Sequence, residues 1–166
     1  RRQRQMCIRD RRITVWLDPA ASEKGHQTIQ GLYAIGSGGL FGKGLGQSMQ
    51  KLGFLPEANN DMIFSVICEE LGLFGALCVL ALFFALIWRF IVIAVNAPDL
   101  YGSMIVVGVI AHIGIQVFIN IAVATNTIPN TGIPLPFISY GGSSLVFMLL
   151  EMGLVLSVSR YINVKK

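Results

Sequence analysis

Residues 54–64, FLPEANNDMIF, place two carboxylates, Glu57 and Asp61, at the mouth of a long apolar run. An aspartate directly before such a run is a favoured helix N-cap. Fixed at a helix start, it is also well placed to take a proton from a bound hydroxyl. Glu57, after Leu55-Pro56, reads as an ordinary solvated loop charge. Glu69 and Glu70 follow about 12 Å deeper on a continuous helix, beyond the roughly 5–9.5 Å at which two carboxyls flank one glycosidic bond. A hydrolase dyad of Asp61 with either is therefore not expected. Glu69, Glu70 and, further on, Glu151 are ionisable groups inside apolar runs, and such groups are functional suspects. The alternatives are helix-to-helix hydrogen bonding or burial in protonated form. His112, Gln116 and Asn120 recur every fourth residue and draw one polar stripe along an apolar helix. Interhelical bonding is the plain explanation, and a polar conduit the other; a lone histidine there makes no metal site.

Composition says what must hold these groups. Of 166 residues, 54% are hydrophobic and 13% charged, and the mean hydropathy is +0.65, so the class is membrane protein rather than soluble domain. Most of the Lys and Arg precede Met62; Arg89 stands alone, and Arg160, Lys165 and Lys166 close the chain. The pattern predicts an all-α integral membrane protein: a polar head over 1–61 with short interfacial helices, spans over 62–95, 100–125 and 144–162, a turn at 96–99, a Pro/Gly-rich loop over 126–143 and a tail at 163–166. Cys7, Cys68 and Cys78 show no metal-ligand spacing and read as packing residues. The arginine-rich start has no signal-peptide pattern, and without an initiator Met the chain is expected to begin mid-protein.

The head contains GLYAIGSGGLFGKGLGQSMQKLG, which has no GxGxxG and lacks the Ser or Thr that a P-loop places after its Lys. No nucleotide site and no nucleic-acid partner are expected. Leu32, Ile35, Leu40, Phe41 and Leu45 interleave with glycines, a pattern suited to short helices and tight turns on the bilayer surface. In the loop, Pro129, Pro134 and Pro136 stiffen the backbone, and Ser139, Tyr140, Ser143 and Ser144 either line a polar cavity or belong to a mere connector. Lys and Arg near the short loops place the C-terminus and the 96–99 turn in the cytoplasm, with Asp61 and loop 126–143 outside. The arginines of 1–12 run against this, but long segments translocate largely regardless of charge.

GGLFGKGLGQSMQKLGFLPEANNDMIFSVICEELG and NTGIPLPFISYGGSSLVFMLLEMGLVLSVSR resemble the two signature stretches of the SEDS (shape, elongation, division and sporulation) family. WLDP at 16–19 adds to the likeness, and TGIPLPFISYGG is similar to the division and sporulation branch. The resemblance implies the C-terminal part of a larger multi-span peptidoglycan polymerase. Its essential aspartate, in the motif LPE-x-x-x-D, falls on Asp61 and its glutamate on Glu57; Asn60 stands where the family usually has Thr.

From the resemblance follow a substrate, lipid II, and a reaction in which the 4-hydroxyl of one sugar attacks the anomeric carbon of another. Diphosphate is a good leaving group, so one base, Asp61, suffices. The departing charge calls for Lys43, Lys51 or the arginines of 1–12, with a divalent cation such as magnesium as the substitute. Glu57 orients Asp61 or holds that cation, and Ser139 and Gly141 join the expected substrate contacts. Expected partners are a class B penicillin-binding protein, the divisome or a related cell-wall complex, and membrane lipids. The rivals are a lipid II flippase using the polar stripe and Glu151, and a non-catalytic membrane partner of a transpeptidase.

Overall fold

A computed structural model describes residues 25–44, 46 and 62–162. They form four helices: α1 Gly25–Ser37, α2 Ile63–Val95, α3 Leu100–Ala124 and α4 Gly142–Arg160. No strand occurs among the described residues. The last three helices are long and apolar enough to cross a membrane, so the chain is a multi-pass membrane protein. The third of these begins at Gly142, inside the stretch expected to be loop.

The middle span, α3, packs against both of its neighbours in sequence. Val106, Val109, Ile113, Val117 and Asn120 are its buried stripe, spaced three and four residues apart as a single helix face requires. Phe83, Phe90 and Ala94 of α2, Leu135 of the loop and Met148 and Val155 of α4 close the core around it. Outward, Phe74, Leu82, Phe84 and Trp88 of α2 and Phe147, Leu149 and Leu150 of α4 remain exposed, a surface suited to hydrocarbon. The short connection is tied by Ser103 Oγ, which donates to Ala94 O at 2.8 Å.

α2 is not one continuous helix. Gly72 sits at φ 69°, ψ −168°, a region essentially reserved for glycine, and it divides a short segment, 63–71, from a segment, 73–95, about 34 Å long and itself sufficient to span. A helix break at membrane depth frees backbone groups that need partners. Here the glycine-rich stretch after α1 supplies them. Lys43 N donates to Glu69 O and Gly44 N to Glu70 O, both at 3.0 Å, while Leu73 N donates to Gly39 O at 3.0 Å and Phe74 N to Leu40 O at 3.2 Å. Gly42, at φ 76°, approaches so closely that a Cβ there would overlap the Glu70 carbonyl. These glycines therefore do more than turn the chain: they admit one backbone against another.

Candidate functional site

Asp61, Glu57 and Lys51 lie outside the described residues, as do Leu45, Lys165, Lys166 and the arginines of 1–12. What the structure does describe is the framework on either side of them. The N-cap position of α2 belongs to Met62, with no side-chain cap bond; the capping role read for Asp61 lies outside the described residues. Met62 is buried against Val66 and Val123, which ties the start of α2 to the end of α3. α1 crosses the same segment, with Gly31 beside Ser65 and Met62. The residue next to Asp61 is thus anchored at the end of the bundle where α3 finishes and the Pro-rich loop begins.

Lys43 Nζ donates to Glu69 Oε1 at 3.0 Å. Glu69 has no exposed side-chain surface, whereas Lys43 keeps 38%, so the ion pair spans from the helix interior to its edge. Sequence reasoning weighed hydrogen bonding and protonated burial for Glu69 and missed this partner. The signal lay 26 residues away in a glycine-rich stretch whose approach to α2 depends on the break at Gly72. Beside it, Glu70 Oε1 is a buried oxygen with no hydrogen-bond partner among the described residues.

The stripe on α3 serves a second cluster. His112 Nδ1 lies 2.8 Å from Glu151 Oε1 and 3.1 Å from Oε2, Gln116 Nε2 donates to Pro134 O at 3.2 Å, and Asn120 Nδ2 donates to Ile133 O at 2.8 Å. These bonds brace α4 and the Pro-rich loop against α3, as interhelical bonding requires. They differ in worth: His112 is 53% exposed on its side chain and Glu151 23%, while Asn120 is almost fully buried. We expect His112→Ala to lower stability by about 0.5 kcal/mol and Asn120→Ala by about 1–2 kcal/mol, measured by thermal unfolding in detergent; equal effects would contradict the brace.

Ser139 and Gly141 build the loop from within. Leu135 N donates to Ser139 Oγ at 2.8 Å, and Ser139 N returns to Leu135 O at 3.1 Å. Gly141 O accepts from Ser144 Oγ at 2.9 Å and from Leu145 N at 3.0 Å, so it heads α4. Ser139, Ser144 and Gln116 also line a small cavity with Pro134, Leu135 and Met148, roomy enough for about one water. No group of three or more His, Cys, Asp or Glu among the described residues is disposed to hold a metal ion. A cation site built on Glu57 would draw on residues outside the described ones.

The family model for FtsW, RodA and SpoVE, described as cell cycle protein, matches residues 3–164. The stage V sporulation protein E of Bacillus subtilis (strain 168) is 58% identical over 149 residues, spanning 90% of this chain and 40% of that protein. A probable peptidoglycan glycosyltransferase FtsW of Geobacter sp. (strain M18) is 45% identical over 155 residues, spanning 92% of this chain and 42% of its own length. Among solved structures, a chain from a study of how a peptidoglycan synthase complex coordinates polymerization and crosslinking superposes with a TM-score of 0.72 at 30% identity, covering 93% of this chain and 42% of that one. The chain accordingly spans about two-fifths of the length of these relatives and corresponds to a fragment of a larger fold. With the signature stretches, the three apolar helices and a match over nearly all its residues, the chain belongs to the FtsW/RodA/SpoVE family, the SEDS proteins.

Proposed function

We propose that this chain carries the general base of a peptidoglycan glycosyltransferase that joins lipid II disaccharides and releases polyprenyl diphosphate, in septum synthesis during cell division or sporulation. The observation that carries the proposal is 45% identity, through both signature stretches, to a protein named as a probable peptidoglycan glycosyltransferase. Asp61 takes the proton from the 4-hydroxyl of one sugar as that oxygen bonds to the anomeric carbon of the next. The bond from that carbon to the diphosphate breaks, and the electron pair leaves with the lipid. Glu57 orients Asp61 or holds a divalent cation. Lys51 and the arginines of 1–12 are the cations available to the leaving diphosphate, since Lys43 is engaged by Glu69. Ser139 and Gly141 contribute by shaping the loop beside the site.

Asp61 and the loop face outward on this proposal, where the disaccharide of lipid II is displayed. A class B penicillin-binding protein is the proposed partner, supported by likeness to a chain from a complex that both polymerises and crosslinks. A flippase would instead draw on the α3 stripe and Glu151, yet those side chains bond neighbouring elements.

The test is purified full-length protein in detergent with lipid II. A ladder of lengthened glycan is expected. Lipid II left unpolymerised, by protein that still moves it across vesicles or still binds its transpeptidase, would favour the transport or the non-catalytic alternative.

A further inference from the structure

The short segment of α2, 63–71, is about 13 Å of helix, too short to persist unaided. Gly72 cuts its hydrogen-bond ladder from the rest of α2. It is held instead from outside: at its start Met62 and Val66 pack on Val123 of α3, and at its end Glu69 O and Glu70 O accept from Lys43 N and Gly44 N, while Gly39 O and Leu40 O take up Leu73 N and Phe74 N across the break. Lys43 seals that second attachment through Glu69. Met62, covalently next to Asp61, rides on this segment.

We propose that Lys43 is a positioning residue for the reaction centre: with Glu69 it locks the glycine clasp onto the α2 break, and the clasp fixes the helical segment that follows Asp61 in the chain. The inference rests on Asp61 being the base. A misplacement of about 1 Å in a catalytic group costs on the order of a hundredfold in rate, so a loosened clasp is felt in turnover rather than in substrate binding. The same pairing argues against Lys43 as a diphosphate ligand. Ammonium and carboxylate 3.0 Å apart form a neutral unit that offers little field to a dianion. Conversely, removing the ammonium takes away the cation that ties this fully buried carboxylate to the glycine clasp, and breaking a buried ion pair from one side loosens the segment that carries it.

The experiment uses full-length protein and lipid II, with kcat and KM measured for Lys43→Met, Glu69→Gln and the double variant. Lys43→Met is expected to lower kcat at least about tenfold with KM nearly unmoved. Adding Glu69→Gln, which removes the buried charge, is expected to recover most of that loss. A ligand role predicts a raised KM and a double variant as impaired as Lys43→Met, and either result overturns the proposal, as would full activity in Lys43→Met. Should Lys43→Met fail to yield monodisperse protein, recovery of monodisperse yield in the double variant supports the clasp, and its continued failure overturns it. Asp61→Asn run alongside separates the two ideas: wild-type turnover there would defeat the base assignment, while the rescue by Glu69→Gln would stand on its own.

Discussion

Replacing Asp61 by asparagine in the full-length protein is expected to cut lipid II polymerisation by about 10²–10⁴-fold, the range contributed by a positioned general base. Asparagine keeps the shape and an acceptor oxygen but cannot carry the proton away, so the loss should fall on kcat with little change in KM. Among the described residues, the carboxylates that follow on α2 offer no substitute. Glu69 lies about 10 Å along the helix from Met62 and is held by Lys43, and the Glu70 Oε1 atom is buried. Asp61→Glu should retain part of the rate, because the longer acid can still accept a proton from an imperfect position. Glycan length resolved on a gel with labelled lipid II reads both variants. Wild-type turnover in the asparagine variant would remove the base from the mechanism and leave Asp61 a structural residue.

The spans were legible because hydrocarbon imposes a simple demand: about 20 predominantly apolar residues with few charges, met three times after Met62. Which face of each span is buried was not, since helices apolar nearly all round carry no strong periodicity. α3 is the exception. Its polar side chains at 112, 116 and 120 mark the side toward α4 and the loop, and all three bond across to them. The partner of Glu69 escaped sequence reasoning for a different reason. EELG at 69–72 reads as uninterrupted helix, and a glycine inside a membrane helix is common enough to pass without comment. The left-handed backbone at Gly72 follows from a tertiary contact, the approach of residues 39–44, and such contacts leave no local periodicity to read. The chemistry proposed for Asp61 was legible only through resemblance, because spacing alone left it as good a helix cap as a base.

Gly72→Ala should be among the most damaging small substitutions in the chain. A side chain at φ 69°, ψ −168° costs about 1–3 kcal/mol in backbone strain. Its Cβ would also overlap Gly42 N and the carbonyl of Leu40, which are backbone atoms and cannot swing aside as a side chain would. Relief requires the clasp to lift, surrendering bonds such as Leu73 N to Gly39 O and Phe74 N to Leu40 O, each worth about 1 kcal/mol net and more when its buried groups go unmet. The other escape is for α2 to straighten, so that residues 69–74 bond within the helix; Glu69 would then rotate away from Lys43 and the segment beside Asp61 would turn with it. Either route predicts a loss of at least about 3 kcal/mol, read as a lowered thermal midpoint in detergent, together with lost polymerisation. Gly108→Ala supplies the contrast, since Gly108 lies within α3 with nothing near its absent Cβ and alanine is the better helix former by about 1 kcal/mol. If the two alanine variants unfolded at the same temperature, the break at Gly72 would not be a stabilised feature of the fold, and the clasp would lose its purpose.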